Sequence, residues 1–275
     1  MKTVMMVLLL VKVSIANAGN IHLDAPDQFG GSRLWVDCSL GSFAGFCILD
    51  TGAVTSIVSK NHISSRYPSV SAQKLKGLGG LTFLCEHIRP NDMVFASRPV
   101  PNALICRTEN FILGDSLLVG INLLASTSFR MDFKQRIFSY GSFKVVNHTL
   151  KRNSMGWLLV PVKIGSHQFI AGVDTGSPLT IFDRRLLTAF PELFDSAMMP
   201  ADFNNLMSGI NIVKVKAPVV IGGHAVSAEY GFVADLSTLN YKSELAPQVL
   251  LGMNHIVQLN WDFDLIQNMW SVDPL

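Results

Sequence analysis

The chain has 275 residues, and its 22 Lys and Arg against 20 Asp and Glu leave a formal net charge of +2. That balance excludes the clustered basic stripe of a nucleic-acid binder. Charged residues make up only 15% and apolar residues 49%, which excludes a disordered chain and predicts one or two domains with substantial cores. No apolar run reaches the roughly 20 residues that a membrane-spanning helix requires.

Residues 1–18 read as a secretory signal peptide: Lys2, an apolar stretch from Thr3 to Val11, then the small residues of Ala16-Asn17-Ala18 at a cleavage site. Cleavage after Ala18 makes the product secreted or periplasmic. Gly19 follows, not Cys, so no lipid anchor is expected. An exported chain can keep disulfides, and the four cysteines Cys38, Cys47, Cys85 and Cys106 allow three pairings. Cys38 and Cys47 flank the turn-like Gly41-Ser42-Phe43-Ala44-Gly45, which would place them across a hairpin and leave Cys85 with Cys106; buried free thiols are the alternative. No C-x-x-C pair is present, so no metal site is expected. Asn147-His148-Thr149 fits either an N-glycosylation acceptor or a solvated linker.

A shift of 124 residues lays Val36 to Gly52 over Val160 to Gly176, matching Val, Gly-Ser and Asp-Thr-Gly without a gap. The pattern continues from Ala53 to Val58 over Ser177 to Phe182: a small residue, two variable ones, a hydroxyl and two apolar residues. Each copy then repeats an apolar-apolar-Gly segment, Leu118 to Asn122 and Leu250 to Asn254, followed by a hairpin, Phe129 to Tyr140 and Asn260 to Val272. These repeats predict two lobes, 19–143 and 156–275, joined by a linker at 144–155. Short apolar runs bounded by turn residues, Trp157 to Ile164, Val213 to Ile221 and Val226 to Val233, read as strands, with a brief helix over Leu186 to Phe194. Both lobes are predicted to be mostly β.

One Asp-Thr-Gly is ordinary turn chemistry. Two, each directly after an apolar strand, are more informative, because Asp50 and Asp174 then sit at strand ends where burial opposes their charge. Gly permits a close backbone approach, and Thr supplies a hydroxyl that can hydrogen-bond across a contact. If the lobes pack about a pseudo-two-fold axis, the carboxyls meet on it, share one proton and can activate a water.

Asp50-Thr51-Gly52-Ala53 and Asp174-Thr175-Gly176-Ser177, each with its apolar-apolar-Gly partner, resemble the aspartic peptidases, and lobes of this size are similar to retropepsin units. The resemblance implies an all-β, bilobal acid-protease fold: two pseudo-symmetric retropepsin-like β-barrel lobes with the active site between them. It makes Asp50 and Asp174 the catalytic dyad, supported by Thr51, Gly52, Ala53, Thr175, Gly176 and Ser177. Gly77, Leu78, Gly79 and Gly80 become a flap over a peptide or protein substrate. No metal or cofactor is implied, and one chain supplies both carboxylates, so a monomer with an internal pseudo-dimer is expected. Two features depart from pepsins: Tyr67 comes too early to be a flap tyrosine, and no room for a long propeptide follows Gly19. Ser208-Gly209-Ile210 is a poorer second flap. Ser177 can donate to Asp174 where Ala53 has no donor, so Asp174 is expected to be the ionised partner and Asp50 the protonated one. A non-catalytic peptide-binding or inhibitory protein on the same scaffold is the competing reading. Glu86-His87 beside Cys85 reads as a strand edge rather than a nucleophile pair, and His167 and His224 fall in turns.

Overall fold

The computed structural model describes residues 18–61, 63, 67–76, 82–109, 116–141, 147–200, 211–239 and 246–275. The proposed leader before Ala18, the glycine flap Gly77 to Gly80 and Ser208 to Ile210 lie outside them. The fold is all-β, with two extended sheets and only short helical turns.

Both halves start from the same hairpin. Leu34–Leu40 pairs with Phe43–Asp50, and Leu158–Ile164 with His167–Val173. The repeated Gly-Ser dipeptide is the turn in each case, Gly41 and Gly165 taking positive φ (64° and 58°), which a tight two-residue hairpin turn demands. His167 and His224 therefore open strands immediately after glycine turns instead of lying within them.

In each half an apolar-apolar-Gly strand threads beside the Asp-bearing strand. Leu117–Gly120 runs parallel to Phe43–Asp50, Gly120 opposite Asp50, and antiparallel to Ser56–Ser59. Val249–Leu251 does the same between His167–Val173 and Ile181–Asp183. A Cβ on Gly120 would overlap the Ala53 carbonyl, and one on Gly252 the Leu179 backbone, so only glycine lets these strands pass.

The hairpins expected at the end of each repeat do not stay in separate lobes. Ser128–Asp132 pairs with Ile137–Tyr140 on one side and with Leu259–Asp264 on the other, and Met269–Pro274 continues the same sheet. Arg130 lies opposite Asp262 and donates to it at 2.6 Å and to Asp273 at 3.0 Å. Beneath this floor Phe138, Phe129, Phe263, Trp261 and Trp270 are buried and in ring contact in series, stacked except for the tilted Phe129–Phe263 pair.

Three local expectations are corrected. The run Val213 to Ile221 is two strands, Asn211–Val215 and Val219–Ile221, because Pro218 cannot continue a ladder. Val226 to Val233 is likewise split between His224–Val226 and Tyr230–Ala234. The helix is Arg184–Ala189, ended before Pro191, and Phe194 already belongs to a strand.

All four cysteines are paired, Cys38 with Cys47 and Cys85 with Cys106. Cys85 is therefore no nucleophile. Its neighbours Glu86 and His87 lie in Thr82–Ile88, a strand paired on both sides, with Glu86 held by Arg107 at 2.8 Å. Tyr67 caps a loop by donating to Asp92 at 2.6 Å. Among the described residues no helix is long and apolar enough to cross a membrane.

Candidate active site

The two Asp-Thr-Gly loops meet. Thr51 N–H donates to Thr175 Oγ1 at 3.0 Å and Thr175 N–H to Thr51 Oγ1 at 3.1 Å. Each hydroxyl donates onward to a carbonyl of the opposite Asp-bearing strand, Thr51 to Val173 and Thr175 to Leu49, both at 2.7 Å. Both threonines are buried, so this square satisfies polar groups that could find no water.

The square sets the glycines against the carboxyls. A Cβ on Gly52 would overlap the Asp174 carboxyl, and a Cβ on Gly176 the Asp50 carboxyl. Asp50 and Asp174 are within hydrogen-bonding contact of each other. Burial pushes both pKa values up from the usual carboxylate range, Asp174 much further because the charge of Asp50 adds to the effect. Asp50 Oδ1 accepts from the Gly52 and Ala53 amides, both at 2.9 Å. Asp174 Oδ1 accepts from Gly176 at 3.1 Å.

The direction of these shifts runs against the ionised Asp174 that the sequence reading expects. The Ser177 hydroxyl does not make the bond to Asp174 that the sequence reading expects: it donates to the Leu179 carbonyl at 2.6 Å. Backbone amides serve both carboxyls, Gly52 and Ala53 on Asp50 and Gly176 and Ser177 on Asp174, and the charge of Asp50 accounts for the larger rise at Asp174.

Behind the dyad a second pair of matching groups fixes the glycine strands. Gly120 N–H donates to Ser56 Oγ at 2.9 Å, and Asn122 Oδ1 accepts from Ser56 N and Oγ, each at 2.8 Å. In the other lobe Gly252 N–H donates to Thr180 Oγ1 at 3.0 Å, and Asn254 Oδ1 accepts from Thr180 N at 2.9 Å. The repeated hydroxyl and Asn positions of the sequence thus have a shared physical task.

A further repeat is hidden in the sequence. Asp27 Oδ1 accepts from Phe29 N at 2.9 Å and Gly31 N at 2.8 Å, while Asn153 Oδ1 accepts from Met155 N and Trp157 N, each at 3.1 Å. Gly30 and Gly156 follow with φ of 82° and 86°. The signal is Asp-Gln-Phe-Gly-Gly over Asn-Ser-Met-Gly-Trp, obscured by differing side chains. These loops reach across to the opposite lobe. Gly31 lies against Pro178 and Leu179, just past the second Asp-Thr-Gly, and Phe29 meets Tyr230 edge-on at 5.4 Å. Reciprocally, Val54 packs on the cluster that holds Trp157 and Leu159.

A two-lobed β fold with paired Asp-Thr-Gly loops at its centre is the bilobal, pepsin-like fold of aspartic proteases. Among solved structures the chain is similar to conglutin gamma, a basic 7S globulin from lupine seeds, with a TM-score of 0.55 and 12% identity over 93% of this chain and 94% of that one. No protein-family model matches the sequence, and no curated protein matches it. At such identity the likeness shows the fold alone.

Proposed function

We propose that the protein is an exported aspartic endopeptidase. The observation that carries this reading is the intact dyad: two buried carboxyls in contact, both pushed above the usual carboxylate range and Asp174 the further. In this reading Asp50 is the base that takes a proton from an attacking water. Asp174 is the acid that polarises the peptide carbonyl, and no covalent intermediate is needed. Thr51, Gly52, Ala53, Thr175 and Gly176 hold this geometry, whereas Ser177 serves the backbone behind it. Gly77, Leu78, Gly79 and Gly80 are the proposed flap, and the proposed substrate is an extended peptide. One chain supplies both halves, so the working unit is a monomer. The leader pattern and the two disulfides support a secreted or periplasmic location.

A second reading, a non-catalytic peptide-binding or inhibitory protein, is favoured by one observation: a structure with the same fold across nearly its whole length is described as a seed globulin. The mature protein incubated with a mixed peptide library from pH 3 to 7, with and without a statine-type inhibitor, separates the two. Inhibitor-sensitive cleavage lost in D50N and D174N supports the peptidase. Peptide retention without cleavage supports the binder.

A further inference from the structure

The two lobes carry different residues at a matching position behind the dyad. Gly120-Ile121-Asn122 is followed by Leu123, whereas Gly252-Met253-Asn254 is followed by His255. His255 is fully buried. Its Nδ1 lies 2.7 Å from Thr180 Oγ1, the same hydroxyl that accepts the Gly252 amide at 3.0 Å. Its Nε2 is buried with no hydrogen-bond partner among the described residues. The ring thus closes a chain from Gly252 through Thr180 on one side and ends in apolar packing on the other.

We propose that His255 is an acid-responsive latch of the second lobe: its neutral ring ties the Gly252–His255 corner to Thr180, and protonation releases that corner and loosens the loop that carries Asp174. A protonated ring would place a second N–H and a full charge in surroundings that offer neither a partner nor water. Burial alone pushes the pKa down to about 4, so no charged group among the described residues offsets the penalty. The groups touching the ring, Thr180 and Asn254, are neutral. On the adjoining strands Asp183 is engaged with Arg185, and Asp264 accepts from the Ile266 and Gln267 amides. Asp262 is held by Arg130 through one oxygen, and burial pushes its pKa up to about 6, a titration that H255L keeps and that the H255L comparison therefore separates from that of His255. The folded pKa lies below the ordinary value of 6.5. Stability from the neutral ring is therefore complete above pH 6.5 and is lost as pH falls towards 4. The first lobe, with Leu123, has no such dependence.

That contrast supplies an internal control, because the Gly120 amide donates to Ser56 as the Gly252 amide donates to Thr180. Amide exchange on the full-length mature protein, as the ratio of Gly252 to Gly120 protection, should fall about tenfold or more between pH 6.5 and 4. In H255L, which takes the first lobe's residue, the ratio should stay flat. Imidazole nitrogen resonances of the wild-type protein should show His255 as one neutral tautomer down to about pH 4. A constant ratio in the wild type, or a folded His255 that titrates near 6.5, overturns the latch. If H255L does not fold, the wild-type resonances decide alone. None of these readouts requires turnover, so the latch can be tested in the same way on a chain without peptidase activity.

Discussion

Thr51 and Thr175 each lend a hydroxyl to the other's backbone amide, so neither Asp-bearing loop is complete without the opposite lobe. Thr175→Val would orphan the Thr51 N–H and the Leu49 carbonyl together. A buried polar group left unpaired costs about 1 to 3 kcal/mol, so T175V should lower unfolding free energy by at least that amount in urea titration. T175S keeps the hydroxyl and should recover most of the loss. Equal destabilisation by both substitutions would mean that the methyl group, not the hydrogen bonds, matters.

The glycines of the dyad loops should tolerate no side chain. Gly176→Ala drives a methyl group into the Asp50 carboxyl, and Gly52→Ala does the same to Asp174. Both variants should lose kcat by about a hundredfold or more, since misplacing reacting groups by about 1 Å is enough to do so. Wild-type rates in either variant would place the reacting groups elsewhere.

Stability should fall with rising pH through the dyad. Both carboxyls have folded pKa values above the ordinary 3.8 of an aspartate. The folded state therefore binds protons that the unfolded chain has released, and that contribution is full at low pH and lost as pH climbs through the folded values. Asp174→Asn removes the buried charge, so its Tm should exceed the wild-type Tm by a margin that widens from pH 4 to pH 8. Ser177→Ala, by contrast, should leave the acidic limb of any pH-rate profile where it is, because its hydroxyl serves Leu179.

Phe29 should act as a clamp between lobes. Asp27 builds the turn that presents it, and its ring meets Tyr230 on the second lobe. For a half-buried ring, Phe29→Ala should cost about 1 to 2 kcal/mol, below the 3 to 5 kcal/mol of a fully buried one. Asp27→Ala should match it by dissolving the turn. Unfolding curves of the double variant should show less than additive loss, as expected when one residue works through the other.

Much of this is legible because the chain states it twice. Paired Asp-Thr-Gly, paired Gly-Ser turns and paired apolar-apolar-Gly strands predict the all-β architecture and the meeting of Asp50 with Asp174. The cysteine order predicts both disulfides, since Cys38 and Cys47 flank a turn. Strand partners are not legible: the alternation in Ser128–Asp132 reveals two faces but not that Leu259–Asp264 lies beside it. Rotamers are equally hidden, and Ser177 shows the cost, since a hydroxyl near a carboxylate and a hydroxyl near a carbonyl look identical in one-letter code. The Asp27 and Asn153 turns are visible in principle, but Phe against Met and Gly against Trp conceal the repeat.

The shared floor also sets an order of events during synthesis. Ser128–Asp132 leaves the ribosome long before Leu259–Asp264, the strand that completes its outer edge. Until that strand arrives, the first half carries an open row of amides and carbonyls, with Arg130 lacking its Asp262 and Asp273 partners. Unpaired edges invite association with other chains. The first half expressed alone should therefore aggregate, and the nascent chain has to be shielded until Leu259–Asp264 emerges to close the sheet.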